Sequence, residues 1–493
     1  MTLLLDELEI VDSTGDPSGI EVTGIEHDSR RVRPGALFCA LPGRSADGRR
    51  FAREALERGA VGIVVEGRRA EVELAGAVEV VVPEGAGRHA MAQLSAAFFG
   101  FPARELTMVG VTGTNGKTTV THLLAAVLRE AGEATTVIGT LSGARTTPES
   151  NELQAMLAEA RAAGGGRGAV AMEVSSHALA QARVDAIHFD VVVFTNLSHD
   201  HLDFHGSMEE YFDVKASLFT PARAVRGIVN ADSPWGRRLL ERPQIPLVAV
   251  EAAQASEVEL RIGSSAFTWR TERVRVPLSG AINVGNALLA AEAAYALGID
   301  AGTIAAGLAR SEPVPGRMEV VATGGGEGPP FAVLVDYAHT PDGLAAVLRE
   351  ARHLAAPGAR VVVVLGCGGD RDKAKRPEMG ALAAQLADLG ILTSDNARSE
   401  DPAMILDEMV AGVPPEAISS GRVVIDEDRE RAIGTALDLA APGDVVLVAG
   451  KGHETTQVHG QRAVPFDDRE VAREHLRRRF AGDPAAWVRG RGA

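Results

Sequence analysis

One junction constrains the fold more than any other feature of the chain. An apolar run at residues 106–111 leads directly into Gly113-Thr-Asn-Gly-Lys-Thr-Thr119, and an apolar-rich stretch at 120–128 follows at once. A strand, a glycine turn and a helix N-terminus in immediate succession aim several backbone N–H groups, and the positive end of the helix, at one point where a polyphosphate is stabilised. In such a loop Lys117 reaches the β- and γ-phosphates and Thr118 holds magnesium. The strict pattern would place a glycine at residue 111, where this chain has Val111, so the loop is a variant. A short Gly-Lys-Thr match also occurs in ordinary helix-entry turns; the strand before it and the helix after it favour nucleotide binding.

The rest of the chain repeats this grammar. Apolar runs at 169–174, 191–194 and 228–230 alternate with helix-period segments between residues 101 and 327. Nearly unbroken apolar strands of this kind belong to a parallel sheet covered on both faces. The stretch Gly324-Gly-Gly-Glu-Gly-Pro-Pro330 breaks the pattern and marks a boundary. Beyond it, runs at 331–335, 360–365, 390–393 and 444–448 alternate with helices again, which predicts a second doubly wound unit. Thr340 and Pro341 read as the N-cap and first residue of a helix. Residues 1–100 carry β-like runs at 61–65 and 78–82, divided by Gly, Arg and Pro. The expected class is α/β in three domains: a small mixed α/β N-terminal domain (1–100), a central P-loop parallel-sheet domain (101–327) and a C-terminal Rossmann-like domain (328–493). A chain of 493 residues has room for about three domains with cores of their own.

Charge and cysteine usage exclude some partners. A formal net charge of -16 argues against nucleic acid and anionic membrane surfaces, whose phosphates require basic patches, though local basic loops can still bind a small anionic substrate. Met1-Thr-Leu-Leu-Leu-Asp-Glu7 turns acidic without a basic start, so no secretory signal is expected, and no run approaches a membrane span. Cys39 and Cys367 are too few and too isolated for a disulfide framework or a zinc site, which fits a reducing cytoplasm.

Several constellations carry chemistry. Glu173 closes the strand at 169–174, and ligands of open α/β sheets sit beyond the carboxyl ends of strands, so a carboxylate there is either a magnesium ligand or a solvated, capping side chain. Asn196-Leu-Ser-His-Asp-His-Leu-Asp-Phe-His-Gly206 packs three histidines and two aspartates into seven residues. Two readings stand: a metal-dependent phosphohydrolase with a His-Asp pair, or His201 as a second magnesium ligand in an ATP-driven enzyme, which the adjacent phosphate loop favours. Lys215 lies in a helical apolar pattern and, considered alone, is a snorkelling or salt-bridged lysine. Asn283-Val-Gly-Asn286 is expected to open a helix over 287–297, capping it or meeting an adenine edge. Arg317 in Pro315-Gly-Arg317 can bridge to a γ-phosphate, and Asp336-Tyr-Ala-His339 ends a strand of the next domain. Charge from a second domain would close a site over ATP and exclude water. In the third domain Gly366-Cys-Gly-Gly-Asp-Arg-Asp-Lys373, Asp395-Asn-Ala-Arg398 and Gly450-Lys-Gly-His-Glu454 each follow a predicted strand. Either they serve as caps and turns, or they converge on one crevice where Arg371 and Arg398 clamp a carboxylate while Glu454 holds an ammonium group.

Taken in order, the motifs from Gly113–Thr119 to Gly450–Glu454 closely resemble the Mur ligase family, and within it the branch that adds the third residue of the peptidoglycan stem peptide. The resemblance implies cytoplasmic peptidoglycan-precursor synthesis: ATP phosphorylates the glutamyl carboxylate of UDP-N-acetylmuramoyl-L-alanyl-D-glutamate, and the amine of a diamino acid displaces phosphate. It implies that Gly113, Thr114, Asn115, Gly116, Lys117, Thr118, Thr119, Asn286, Arg317 and Asp336 serve ATP. Thr118 and Glu173 would bind a first magnesium, and His201 and a carbamylated Lys215 a second, with Lys117, Lys215, His201, Arg317 and Asp336 as the catalytic set. The uridine-diphosphate sugar and its peptide would meet Ser29, the loop Gly43-Arg-Ser-Ala-Asp-Gly-Arg49, Thr146, Thr147, Ser176, Gln181 and Arg183. Arg371, Asp395, Asn396, Ala397, Arg398, Gly450 and Glu454 would bind the diamino acid, and a monomer is expected. The family pattern for meso-diaminopimelate is Asp-Asn-Pro-Arg, and Ala397 replaces its proline. Arg398, which separates a second carboxylate from the bare ammonium of lysine, is kept, so meso-diaminopimelate is expected, with L-lysine as the alternative. Folylpolyglutamate synthetase shares the ATP domain but lacks the uridine-nucleotide domain. A P-loop switch protein would need neither the third domain nor the carbamate lysine.

Overall fold

The computed structural model describes residues 1–43, 46–166, 168–321 and 329–480. Arg44 and Ser45 of the first-domain loop, and residues 324–328 of the expected boundary, lie outside the described residues. Three α/β sheets follow one another along the chain. In the first, Val78–Val82, Gly62–Glu66, Ala36–Cys39 and Gly24–Glu26 run parallel in that order, and Asp12–Thr14 joins antiparallel at the edge. Successive side chains of a strand point to opposite faces. Leu37, Val64 and Val80 therefore enter one core with Met91 and Leu94, while Phe38, Ile63 and Val81 enter the other with Ala52 and Ala55.

The central sheet is wholly parallel, ordered Leu247–Val250, Ala224–Asn230, Phe189–Phe194, Thr107–Thr112, Ala169–Glu173, Thr135–Ile138. Val109, Ala171 and Val191 face one core and Met108, Val170 and Val192 the other, which is why the runs read as continuously apolar. Thr107–Thr112 is the strand at which the order reverses, so the phosphate loop leaves the sheet at its switch point. One element departs from the expected strand–helix alternation. Ala255–Arg261, Ser264–Trp269 and Glu272–Val276 form a three-stranded antiparallel sheet. Its Phe267, Trp269, Val274 and Val276 pack into the central core, and the Trp269 indole donates to Glu292 at 2.9 Å.

The third sheet is ordered Glu319–Val320, Ala332–Asp336, Val445–Ala449, Val361–Leu365, Leu389–Leu392, Val423–Ile425, parallel except for its first strand. That edge strand comes from before the glycine-rich stretch, so the chain stitches itself to the third sheet immediately after Arg317. The helix Pro341–Leu354 starts as expected, with the Thr340 hydroxyl accepting from the Gly343 N–H at 3.2 Å. Among the described residues no helix is long and apolar enough to cross a membrane.

Candidate active site

The phosphate loop is built around two glycines that nothing else can replace. Gly113 has φ +146°, and a Cβ on it would stand 1.9 Å from the Thr195 hydroxyl; Gly116 has φ +86°, and a Cβ there would meet Asn286 Oδ1 at 2.7 Å. Val111, where the strict motif has glycine, is still a strand residue, fully buried and paired with Glu173 and Val193. The turn is simply shorter. Neighbouring residues brace it: the Asn115 N–H donates to Asn196 Oδ1 at 3.0 Å, and the Thr195 hydroxyl to the Asn115 carbonyl at 2.6 Å. Lys117, the first residue of the helix Lys117–Glu130, folds its Nζ onto the carbonyls of Gly113 (3.0 Å) and Thr114 (2.8 Å). Burial pushes its ammonium down, opposed by Glu173 and Asp200. Thr119 is buried one residue beyond Thr118.

Beside the loop, Glu173 is 1% exposed at the end of its strand, its oxygens accepting from the Thr140 N–H (2.8 Å) and hydroxyl (3.2 Å). Thr140 also pairs with Thr146 at 3.1 Å, and the Thr147 hydroxyl donates to the Glu173 carbonyl at 2.8 Å. Arg183 donates to the Thr147 carbonyl (2.9 Å) and Gln181 (2.7 Å) and pairs with Glu149 at 2.8 Å, while its Nε is buried and unpartnered. Ser176 meets His205 Nε2 at 2.9 Å. Thr146, Thr147, Gln181 and Arg183 are thus one connected group next to Glu173. Ser29 belongs to another place: in the first domain, its hydroxyl donates inward to Glu54 at 2.8 Å.

Lys215, on the helix Met208–Ala216, is 1% exposed and lies behind the phosphate loop. Its Nζ donates to the Gly113 carbonyl at 2.9 Å and the Thr112 hydroxyl at 3.3 Å. Both acceptors are neutral. Burial, and then repulsion from Lys117, push its ammonium well below the ordinary lysine value, against the pull of Asp200. The ring of Tyr211 is near both Lys215 (Nζ to centroid 4.9 Å) and His201 (centroids 6.4 Å), and its hydroxyl reaches Thr114 Oγ1 at 3.2 Å. His201 is held in the left-handed region, φ +54°, with Nε2 3.5 Å from Asp200. Burial works against the Asp200 carboxylate, yet His201, His339 and Lys375 hold it below its usual range. The last two belong to the third domain, so the histidine-rich loop faces across the domain joint. Among the described residues no three His, Cys, Asp or Glu side chains converge as a metal cage. A lone buried carboxylate such as Glu173 does fit magnesium, which keeps waters and takes most of its oxygens from substrate phosphates.

The joint is made by residues 315–320 and 336–339. The Arg317 guanidinium donates to Thr118 Oγ1 at 3.1 Å and stacks on Tyr337 at 4.5 Å, leaving a buried, unpartnered Nε. Asp336 accepts from the Met318 and Ala338 N–H groups, both at 2.7 Å. Burial pushes its carboxyl up, opposed by Arg317. Through these two backbone bonds Asp336 holds the turn that carries Arg317. Gly316 packs so closely on the third domain that a Cβ would lie 2.1 Å from the His453 nitrogen. Asn283 and Asn286 do not precede their helix as expected. The helix is Ala281–Ala296, capped by Gly280, and the two amides form a pair at 3.1 Å within its first turns, one turn apart on the face toward Gly116.

In the third domain the three predicted loops do converge. The Gly369 N–H donates to the Asn396 carbonyl (2.8 Å), Arg398 Nη1 to the Gly369 carbonyl (2.6 Å) and Asn396 Nδ2 to Glu454 (2.7 Å). Arg371 is exposed near Gly368, on which Arg398 also bears. Asp395 accepts from the Asn396 N–H at 2.6 Å, and a Cβ on Gly450 would lie 3.0 Å from its other oxygen. Arg398 adopts φ +52° and is pinned through its N–H to the Val458 carbonyl and through its carbonyl to the Gly460 N–H. Ala397 is 1% exposed. These main-chain bonds hold the loop where the family pattern has a proline.

Three family models match in succession: the Mur ligase family catalytic domain over residues 21–99, the Mur ligase middle domain over 111–294 and the Mur ligase glutamate ligase domain over 316–452. The chain belongs to the Mur ligase family. Among its curated relatives are the UDP-N-acetylmuramoyl-L-alanyl-D-glutamate--2,6-diaminopimelate ligases of Gloeobacter violaceus, 45% identical over 93% of this chain and 95% of the relative, and of Streptomyces coelicolor, 44% identical over 96% of each. A solved ligase of the same description is 31% identical, with a TM-score of 0.62 over 93% of this chain and 95% of that one. Three structurally engaged residues of this Mur ligase were not singled out from sequence. Tyr211 lies four residues before Lys215, on the same helix face, and Lys451 sits inside a quoted motif. Arg429, which joins two third-domain loops, carries no motif at all.

Proposed function

We propose that this Mur ligase joins meso-diaminopimelate to UDP-N-acetylmuramoyl-L-alanyl-D-glutamate at the expense of ATP, in the cytoplasm and as a monomer. The first domain (1–100) takes the uridine-diphosphate sugar, the central domain ATP and the third domain, whose sheet already includes Glu319–Val320 from before the expected boundary at 327, the diamino acid. The observation that carries the reading is the 3.1 Å bond from Arg317, at the entry to the third domain, to Thr118 of the phosphate loop. It ties the phosphate loop to the segment that leads into the third domain, which supports a reading in which both domains act on one reaction.

The glutamyl carboxylate attacks the γ-phosphorus, ADP leaves, and an acyl phosphate forms. The diamino acid's amine then adds to the acyl carbon, and the tetrahedral intermediate expels inorganic phosphate to leave an amide. Lys117 and Arg317 stabilise the negative charge of the transferring phosphoryl group. Thr146, Thr147, Ser176, Gln181 and Arg183 hold the muramoyl peptide with its carboxylate toward Glu173. Thr118 and Glu173 would hold one magnesium, and His201 and a carbamylated Lys215 a second, where the metal would supply charge neutralisation to the phosphates. The depressed Lys215 ammonium supports this carbamate, because a neutral amine is the form that adds to carbon dioxide with loss of a proton. Arg398 and Arg371 clamp the distal carboxylate of diaminopimelate, and Glu454 its ammonium group.

The test is ADP release measured with each substrate omitted in turn, with the product weighed by mass spectrometry. Release that requires both the muramoyl dipeptide and meso-diaminopimelate, with a tripeptide product, supports the reading. Release indifferent to the dipeptide overturns it, and equal use of L-lysine overturns the diaminopimelate assignment alone.

A further inference from the structure

We propose that Lys451 is a positioning residue for the diamino acid: it presets the Glu454 carboxylate and the Asn396 amide for the incoming ammonium group without touching the ligand itself. The proposal rests on the reading of the third-domain crevice given above. Lys451 is 0% exposed. An ammonium has three donors, and all three are used: the Thr456 carbonyl at 2.6 Å, Glu454 Oε2 at 3.2 Å and Asn396 Oδ1 at 3.3 Å. None is left for a substrate.

The same bonds explain how the crevice is oriented. Asn396 Oδ1 accepts from Lys451 and from the Val458 N–H at 2.9 Å, so its Nδ2 is turned to Glu454 Oε2 at 2.7 Å. Glu454 Oε2 thus takes two bonds, and the side chain remains 30% exposed, with Oε1 carrying neither. Asp395 Oδ1 stands 3.7 Å from the same ammonium. Two carboxylates that would otherwise repel one another in one crevice share a buried counter-charge. The backbone is shaped to bury it: Gly450 (φ +112°) and Gly452 (φ +53°) flank Lys451, and a Cβ on Gly452 would meet Tyr337 Cβ at 2.6 Å. Arg429 completes the frame. It donates to the Ser394 and Ala449 carbonyls, at 3.2 and 3.0 Å, and pairs with Asp468 at 2.7 Å, both side chains fully buried, so the loops bearing Asn396 and Glu454 hang from one guanidinium.

The test uses the full chain with Lys451→Met, which keeps the length of the side chain and removes its charge. KM for meso-diaminopimelate should rise roughly 10- to 100-fold, the scale of a lost charge-assisted contact. KM for ATP and the dipeptide should stay within about twofold, as for sites that share no partners. So should hydroxamate formation without amino acid, in which hydroxylamine displaces phosphate from the acyl phosphate. In a Glu454→Gln background Lys451→Met should add less than about twofold, because both act through one carboxylate. Losses that multiply, or an ATP step that falls in parallel, overturn the proposal and leave Lys451 a general support of the fold. If Lys451→Met gives no cooperative melt, Lys451→Gln, which retains a donor for Thr456, replaces it, and failure of both to fold also overturns the proposal. A wild type that uses neither diaminopimelate nor lysine overturns the crevice reading beneath it, whereas a wild type that uses them beside an unaffected Lys451→Met overturns this proposal alone.

Discussion

Lys215 and Lys451 are both buried, 1% and 0% exposed, and each closes a motif-bearing crevice, yet their surroundings differ in the one respect that decides their chemistry. Lys215 donates only to a carbonyl and a hydroxyl, with Lys117 adding repulsion. Lys451 has the Glu454 carboxylate at 3.2 Å and Asp395 at 3.7 Å. Burial disfavours the Lys215 ammonium ion, whereas Lys451 is tied to carboxylates by direct contacts. The central crevice therefore holds an amine open to chemical change, and the third-domain crevice holds a fixed counter-ion. The same contrast separates the two crevices as wholes. Residues around the phosphate loop bond mostly to backbone carbonyls and hydroxyls, whereas those around Glu454 bond to one another.

The largest break in this picture should come from the phosphate loop. Lys117→Ala should lower turnover by ~1000-fold, as the loss of a donor at a charge-developing centre does, while the melting temperature stays near wild type because the side chain contributes little to a core. A variant that consumes ATP at the wild-type rate would remove the phosphate cradle from the account. Lys215→Ala should cost roughly 100-fold, the scale of a perturbed metal ligand, and a short carboxylic acid in solution should restore part of the activity. An active, bicarbonate-supplied wild type whose Lys215 shows no added mass of carbon dioxide would erase the contrast between the two lysines. In the third domain, Arg398→Ala should shrink the preference for meso-diaminopimelate over L-lysine from at least ~100-fold to a few-fold; competition assays read this directly. Smallest of all, Ala397→Pro should change that preference by less than ~2-fold, because a rigid residue adds little where the native conformation is already held. A large gain would mean that the bonds from Arg398 to Val458 and Gly460 do not hold the loop.

Local order was legible in the chain because it rests on short-range rules. Unbroken valine-rich runs, such as 361–365, announced strands buried on both faces, and glycine with lysine and threonine after such a run announced the loop at Gly113–Thr119. The antiparallel sheet of residues 255–276 was not read, since its first and last strands are interrupted by exposed charged residues and lack an unbroken apolar run. The start of the helix at Ala281 was likewise missed, because Gly280 caps it without a side-chain signal. What the sequence by itself determined was the family, the three-domain α/β order and the identity of the charged residues in each motif. Tertiary structure alone decided which of those charges meet: that Arg317 bonds Thr118 across 199 positions, that Asp336 accepts from backbone through both oxygens, and that one buried lysine lies against carboxylates while the other hydrogen-bonds to a carbonyl and a hydroxyl. The reason is physical. Strand and turn preferences act over a few residues, while the free energy of a charge depends on every group within several ångströms, and only the folded chain brings those groups together.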